Sequence, residues 1–391
     1  MTTSEGTGPA ITDEVIENYR ARIGKVEPIK RQWHTEATRD NITHWAEAIG
    51  DDNPLWTDFE YAATTQYGSI IAPPSFILSC NIGPAHRGAT GARGGGGGGL
   101  PGNIRQVWAG DSWEWFQPIR LGDQIRGTTG LSDVIVKESD SGRSMTYVTE
   151  ENFTNQKDEL LSRHRTTSIA MERRPKEPAK DGEKKEPKPE RPKLEKYKYT
   201  PEELAAIEAE LDKESRRGAD KLFWDDVQTG DEIPHVVKGP LTLTEIICFL
   251  QGWGGPFIMA SEIMHKYFRL HPRANVPDFE TNAPDTATRV HWDEKLAQAS
   301  GFPTGYDIGG MRMSWMLHGL TNWAGDDGQV RFIEAKFTNL NLIGDTTYCR
   351  AKVAGKRREE DQALVDVELW TVNQRGTTTT EGKATVQLPS R

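Results

Sequence analysis

Residues Phe116–Asp123 read FQPIRLGD, and residues Phe337–Asp345 read FTNLNLIGD. Each stretch opens onto three segments in which apolar and polar residues alternate. The first set is IRGTTGLSDVIVKES (Ile125–Ser139), SMTYVTEENFTNQ (Ser144–Gln156) and LSRHRTTSIAM (Leu161–Met171). The second is TYCRAKVAGK (Thr347–Lys356), ALVDVELWTVNQRG (Ala363–Gly376) and EGKATVQL (Glu381–Leu388). Alternation of this kind is the mark of half-buried strands. An Asn-Gln pair closes the middle strand in both sets, Asn155-Gln156 and Asn373-Gln374. Two copies of one three-stranded antiparallel unit therefore lie in one chain, and a repeat of this length sets the fold before any local motif does.

Upstream of each copy is a segment with helical spacing. Asp40–Ile49 (DNITHWAEAI) stops at Gly50, and Glu245–Trp253 (EIICFLQGW) stops at Gly254. Each half thus reads as a helix, a long loop and a curved meander. Between them, residues 173–200 are dominated by Lys, Glu and Pro (RRPKEPAKDGEKKEPKPERPKLEKYK) and cannot bury apolar surface. The expected division is 1–172, a linker at 173–200, and 201–391. Thr200, Pro201 and Glu203 form a capping pattern for a helix running to about Arg217, with Gly218 as its stop. Its Leu204, Ile207 and Leu211 face is expected to dock onto the fold.

Composition narrows the function. The chain has 391 residues, twice a usual single domain, and a formal charge of −10, which argues against a nucleic-acid binder. Cys80, Cys248 and Cys349 are far apart and lack CxxC spacing, so neither a disulfide framework nor a zinc site is expected, and the cytoplasm is the default compartment. No apolar run approaches the roughly 20 residues that span a bilayer, and residues Met1–Asp13 do not read as an export signal. The glycine run Gly94–Gly99 lacks the Lys-Ser/Thr of a phosphate loop and reads as a mobile loop.

Two loops carry a more specific pattern. In the first half, AIGDDNPLWTDFEYAATTQYGSIIAPPSF supplies Gly50, Asp51, Asn53, Pro54, Leu55, Asp58 and Ala62. In the second, RVHWDEKLAQASGFPTGYDIGG supplies His291, Asp293, Ala297, Gly301, Phe302 and Gly309, with 18 positions from His291 to Gly309. These residues resemble the signature of the MaoC-like (R)-specific enoyl-CoA hydratases, Gly-Asp-x-Asn-Pro-Leu-His followed by Asp, Ala, Gly-Phe and Ile-Ala-His-Gly. The first half, with APPSF at Ala72–Phe76 and GDSWEWFQPIRLGD, resembles the fatty-acid-synthase-type dehydratase domain fused to such proteins. The implied fold is α+β, a double hot-dog in which two antiparallel sheets, each wrapped around a long helix, pack as a pseudo-dimer.

The implied chemistry is reversible addition of water to a trans-2-enoyl-CoA, with no cofactor and no metal. It needs a base for water, an acid for C2, and donors for the thioester oxygen. Trp56 stands where the first-half histidine belongs, so the resemblance places catalysis in the second half. There His291 takes the histidine role, and a backbone N–H of Gly309 or Gly310 the oxyanion role. Asp285 is the first choice of carboxylate, with Asp293 and Asp307 as alternatives. Asp307, Trp292, Gly310, Arg105 and Trp108 are candidates to line the substrate. His318, inside the following helix, is read as a packed or capped residue, and Asp51 with Asn53 as a loop-fixing set. The expected partners are an acyl-CoA thioester and a second copy of the chain in a homodimer. A non-catalytic acyl-CoA-binding subunit and a thioesterase remain the alternatives.

Overall fold

The structure is a computed structural model that describes residues 11–30, 32–81, 100, 104–139, 142–172, 196–255 and 258–391. The glycine run and most of the Lys/Glu/Pro linker lie outside the described residues. The first half contains α1 (Asp13–Arg20), β1 (Val26–Pro28), α2 (Arg39–Ala48), α3 (Pro54–Thr57), α4 (Phe59–Ala63) and a 3₁₀ helix at Pro74–Cys80. Four strands follow: β2 (Ile104–Trp115), β3 (Arg126–Ser139), β4 (Gly142–Thr154) and β5 (Leu160–Glu172). The second half contains α5 (Pro201–Leu211), β6 (Glu232–Lys238), α6 (Leu243–Trp253), α7 (Ser261–Leu270), α8 (Glu294–Ala299) and α9 (Gly309–Ala324). It ends with β7 (Gln329–Phe337), β8 (Thr347–Glu359), β9 (Gln362–Asn373) and β10 (Thr378–Gln387).

The ten strands form one sheet in the order β1-β3-β4-β5-β2-β7-β10-β9-β8-β6, antiparallel at every pairing between strands. The halves meet at β2 and β7, where Gly110–Glu114 pair with Lys336–Phe332. This is the double hot-dog fold, and the seam is made by the one long strand of each half that the repeat does not contain.

The repeat is visible bond by bond. Gly122 and Gly344 both turn with positive φ, 86° and 94°. The next residue braces the turn in each copy: Asp123 Oδ2 accepts from the Arg120 N–H (2.7 Å), and Asp345 Oδ2 from the Leu342 N–H (3.0 Å). The Asn-Gln pairs lock onto the same turns. Gln156 accepts from the Gln124 N–H and Gln374 from the Thr346 N–H, both at 2.9 Å. Asn155 and Asn373 each accept two backbone N–H groups of the following hairpin.

Helix α9 is buried on all sides, which a helix tolerates only when it forms the centre of a core. Its counterpart in the first half is the shorter 3₁₀ helix. Pro73 and Pro74 at its start remove two N–H donors and set the entry angle. Helix α5 has the expected capping box, Thr200 with Glu203, but ends at Leu211 instead of near Arg217. Beyond it, Glu214 accepts the Val237 N–H and the Arg217 Nε–H binds the Trp323 carbonyl, bonds that draw these residues off a helical path. Of its apolar face Ile207 is buried, whereas Leu204 and Leu211 are exposed. Among the described residues no helix is long and apolar enough to cross a membrane.

Candidate active site

His291 closes a short 3₁₀ turn, Ala287–His291, just ahead of α8. Its Nδ1 lies 2.9 Å from the Tyr306 carbonyl, and its ring meets the Tyr306 ring edge-on, with centroids 4.6 Å apart. A carbonyl can only accept, so Nδ1 carries the proton and the neutral ring keeps its lone pair on Nε2. Burial pushes the imidazole below the usual histidine range, and the Tyr306 carbonyl and the Asp307 charge pull against that shift. Tyr306 is three residues ahead of α9. The imidazole is therefore tethered beside the N-terminus of that helix, where the N–H groups of Gly309 and Gly310 have no intrahelical acceptor. The helix dipole adds to their pull on a negative oxygen.

Residues of both halves close in on the same helix end. A Cβ added to Gly309 would lie 2.9 Å from the Phe337 ring and 3.2 Å from the Trp108 ring. One added to Gly310 would lie 2.4 Å from Leu78 Cδ2. Trp108 thus stands at the start of α9, while Trp292 packs half-buried against the main core. Arg105 lies on β2, and its side chain is outside the described residues.

Each of the three candidate carboxylates bonds to other protein groups. Asp285 is a salt-bridge partner of Arg289 at 3.3 Å with its side chain 42% exposed. Asp293 caps α8 through the Leu296 N–H (3.0 Å) and accepts from Arg289 Nε (2.9 Å). Asp307 acts electrostatically on His291, yet both its oxygens are taken by protein donors. Arg312 Nη2 holds Oδ1 at 2.7 Å, and Asn341 Nδ2 holds Oδ2 at 2.8 Å alongside Arg312 Nε. With three protein donors on its two oxygens and its side chain buried, Asp307 braces the loop ahead of α9.

The first-half loop differs from the second at both corresponding positions. Trp56 replaces the base, and its indole N–H donates to Asp51 Oδ2 (3.0 Å) while the Asn53 N–H donates to Oδ1 (3.1 Å). At the helix start, Pro73 and Pro74 have no N–H to offer, and the Ala72 N–H is bonded to the Ile119 carbonyl at 2.9 Å. A small cavity of about 70 Å³ lies between the halves, lined by Trp56, Tyr67, Ile71, Trp115 and Ile119 of the first and Asp326 and Val330 of the second.

Two buried polar clusters had no local signal in the sequence. His318 on α9 lies with Nδ1 2.7 Å from Lys238 Nζ and Nε2 3.6 Å from Asp51 Oδ1, so three ionisable groups from both halves meet, His318 and Asp51 buried and Lys238 half-buried. In the first-half sheet, His164 is held between Asp111 and Glu151, at 3.1 Å from each, and these carboxylates outweigh burial to push the imidazole up to about 9. Trp108 donates its indole N–H to the same Asp111 oxygen at 2.9 Å. Only the spacing of β4 and β5 could have suggested the second cluster, since Glu151 and His164 face each other in register.

The fold and this site define a class: a double hot-dog protein whose loop signature is split between its two halves. Residues 23–163 match the family model described as FAS1-like, dehydratase domain region. Over its whole length the chain resembles a MaoC-like dehydratase structure, at 16% identity and TM-score 0.62, covering 95% of this chain and 100% of that one. A putative MaoC domain protein dehydratase from Chloroflexus aurantiacus gives 15% and 0.54, covering 96% and 97%. A Mycobacterium tuberculosis protein described as having a double hotdog fold gives 11% and 0.50, covering 94% and 96%. Among curated sequences, a UPF0336 protein of Streptomyces avermitilis is 30% identical over 100 residues, 25% of this chain. A UPF0336 protein of Thermobifida fusca is 28% identical over 137 residues, 35% of this chain and 81% of its own length. The match spans 63% of the Streptomyces protein's length. The first half thus matches the FAS1-like dehydratase region, and the whole chain shares the double hot-dog fold of these structures.

Proposed function

We propose that the protein is a hydratase/dehydratase that adds water reversibly to a trans-2-enoyl-CoA to give a 3-hydroxyacyl-CoA, at the second-half site. The observation that carries this reading is the tethering of a neutral His291, through the Tyr306 carbonyl, beside the N–H groups of Gly309 and Gly310, which have no intrahelical acceptor. With Asp285 turned to Arg289, one imidazole serves both proton transfers. Nε2 takes a proton from water as its oxygen bonds to C3, and returns that proton to C2 as the enolate collapses. The Gly309 and Gly310 N–H groups hold the thioester oxygen while it carries the charge. Trp108 and Trp292 border the site, and a homodimer belongs to the same reading.

One observation favours a second reading, a non-catalytic acyl-CoA-binding subunit: the cavity lies beside the degenerate loop. Incubation with a panel of short, branched and ring-bearing trans-2-enoyl-CoA thioesters separates the two. Loss of the conjugated enoyl absorbance with gain of one water in the product is expected, and His291→Ala should lower the rate by about 10²-fold or more. Conversion that is unchanged in His291→Ala removes the proposed site. Binding without conversion across the panel moves the assignment to the subunit reading.

A further inference from the structure

Trp108 stands against the first residue of α9 but belongs to β2, and that strand needs an irregularity to bring it there. Side chains of a strand alternate between faces, so Trp108 and Asp111, three positions apart, would point to opposite sides of the sheet. The pairing of β2 with β5 shifts between them, from Trp108 opposite Ser168 to Gly110 opposite Thr167. This bulge at Ala109 adds one residue and returns both side chains to one face. Gly110 fixes the bulge at the seam, since a Cβ there would lie 2.4 Å from the Ala335 carbonyl oxygen of β7. The Trp108 indole N–H then reaches Asp111 Oδ1 at 2.9 Å.

The same oxygen lies 3.1 Å from His164 Nε2, and Glu151 Oε2 lies 3.1 Å from Nδ1. Carboxylates accept, so only the imidazolium, with an N–H on each nitrogen, satisfies both. Against burial, which lowers it, Asp111 and Glu151 push the ring up to about 9. Asn81, just past the 3₁₀ helix, donates to Glu151 at 3.2 Å, and Trp113 meets the imidazole edge-on at 5.0 Å between centroids. Asp111 Oδ2 takes no hydrogen bond among the described residues. Indole and imidazolium therefore share one oxygen, and a change at one is felt by the other. At its far side the indole covers Gly309, where a Cβ would lie 3.2 Å from Trp108 Cε3, and it meets Phe337 edge-on.

We infer that Asp111, His164 and Glu151 are positioning residues of the second-half site: they fix the Trp108 indole over Gly309, so that a charged network in the first half shapes the place where an acyl thioester binds. This rests on the reading of the α9 N-terminus as the thioester site. An indole held there keeps water from beside the Gly309 N–H, where it would compete with the thioester oxygen. The three groups act on the substrate through the tryptophan.

The test follows the Trp108 indole N–H by NMR in the isotope-labelled full chain, its signal being the one lost in Trp108→Phe. In the wild type this signal is expected to shift in a step centred near pH 9 as His164 gives up its proton, and in His164→Gln the step should be absent. The second readout is affinity for hexanoyl-CoA, a saturated thioester that cannot be hydrated. Its dissociation constant should rise about fivefold or more in His164→Gln and in Trp108→Phe, and the double variant should bind no worse than the weaker single one. A histidine that merely supports the fold would add its loss to that of Trp108→Phe. A wild-type indole signal without the alkaline step, additive losses, unchanged affinity in the single variants, or no binding of hexanoyl-CoA by the wild type overturns the inference. Neither readout needs turnover, so a wild type that binds hexanoyl-CoA but hydrates no enoyl thioester removes the hydratase reading and leaves this one standing. The wild-type titration decides the matter even if His164→Gln does not fold.

Discussion

At the scale of single residues, Lys238 decides whether the centre of the molecule is satisfied. Its ammonium donates to His318 Nδ1 (2.7 Å) and to the carbonyls of Gly50 (3.0 Å) and Ile49 (3.2 Å), and its charge faces Asp51. Burial pulls the lysine down, pushes Asp51 up, and holds His318 well below the usual histidine range, so each group depends on the others to remain folded in its charge state. Removing one member strands the rest. Lys238→Met should cost about 3 kcal/mol or more in urea unfolding, and adding Asp51→Asn should cost less than the sum of the two single changes. Strict additivity would show that the three groups do not act as a unit. The expectation that Asp51 and Asn53 fix their loop agrees with these bonds. The expectation for His318 named its helix but not its partners, because Asp51 is 267 positions away and a helical pattern contains no information about what another half delivers.

At the scale of elements, the helices α2 and α6 show how closely the halves approach. A Cβ on Gly252 would lie 2.4 Å from Ala48 Cβ and 3.0 Å from the His44 carbonyl, while the Trp45 and Phe249 rings meet at a tilt beside the crossing, with 5.7 Å between centroids. In a helix interior, glycine to alanine ordinarily stabilises by about 1 kcal/mol. Here the sign should reverse. Gly252→Ala is expected to destabilise by about 1–3 kcal/mol, and Ala48→Gly in the same chain should recover part of the loss. Stabilisation by Gly252→Ala would mean that the helices are not in contact at that point. Both helices, the capping box at Thr200 and the six strands of the repeat were legible, since periodicity and caps are local. The seam strands β2 and β7 were not, because the repeat begins after them. The 3₁₀ helix was not either: APPSF matches a helix start, and only the missing N–H groups of Pro73 and Pro74 distinguish it from Gly309–Gly310.

At the scale of the whole molecule, buried histidines of opposite character set how stability responds to pH. His164 is about 9 in the fold against about 6.5 unfolded, so between those values the native state holds a proton that the unfolded chain has lost. Its contribution, on the order of 3 kcal/mol, is full below pH about 6.5 and disappears as pH rises toward 9. His318 and His291 are depressed by burial and stay neutral when folded. Their contribution is full above pH about 6.5 and is lost as pH falls below it. Stability should therefore peak near pH 6.5, approximately where the two trends cross. The thiols of Cys80 and Cys349, pushed up to about 12 by burial, add to the alkaline decline only above pH about 8.5. The window from about 6.5 to 8.5 then belongs mainly to His164, whose Nδ1 and Nε2 each face a carboxylate. Urea midpoints measured across this window should fall steadily in the wild type. In His164→Gln the fall should flatten from a lower starting value, because the amide keeps hydrogen bonds but holds no proton to lose. An unchanged slope in the variant would place the alkaline sensitivity elsewhere and leave the Asp111–His164–Glu151 cluster without its charge.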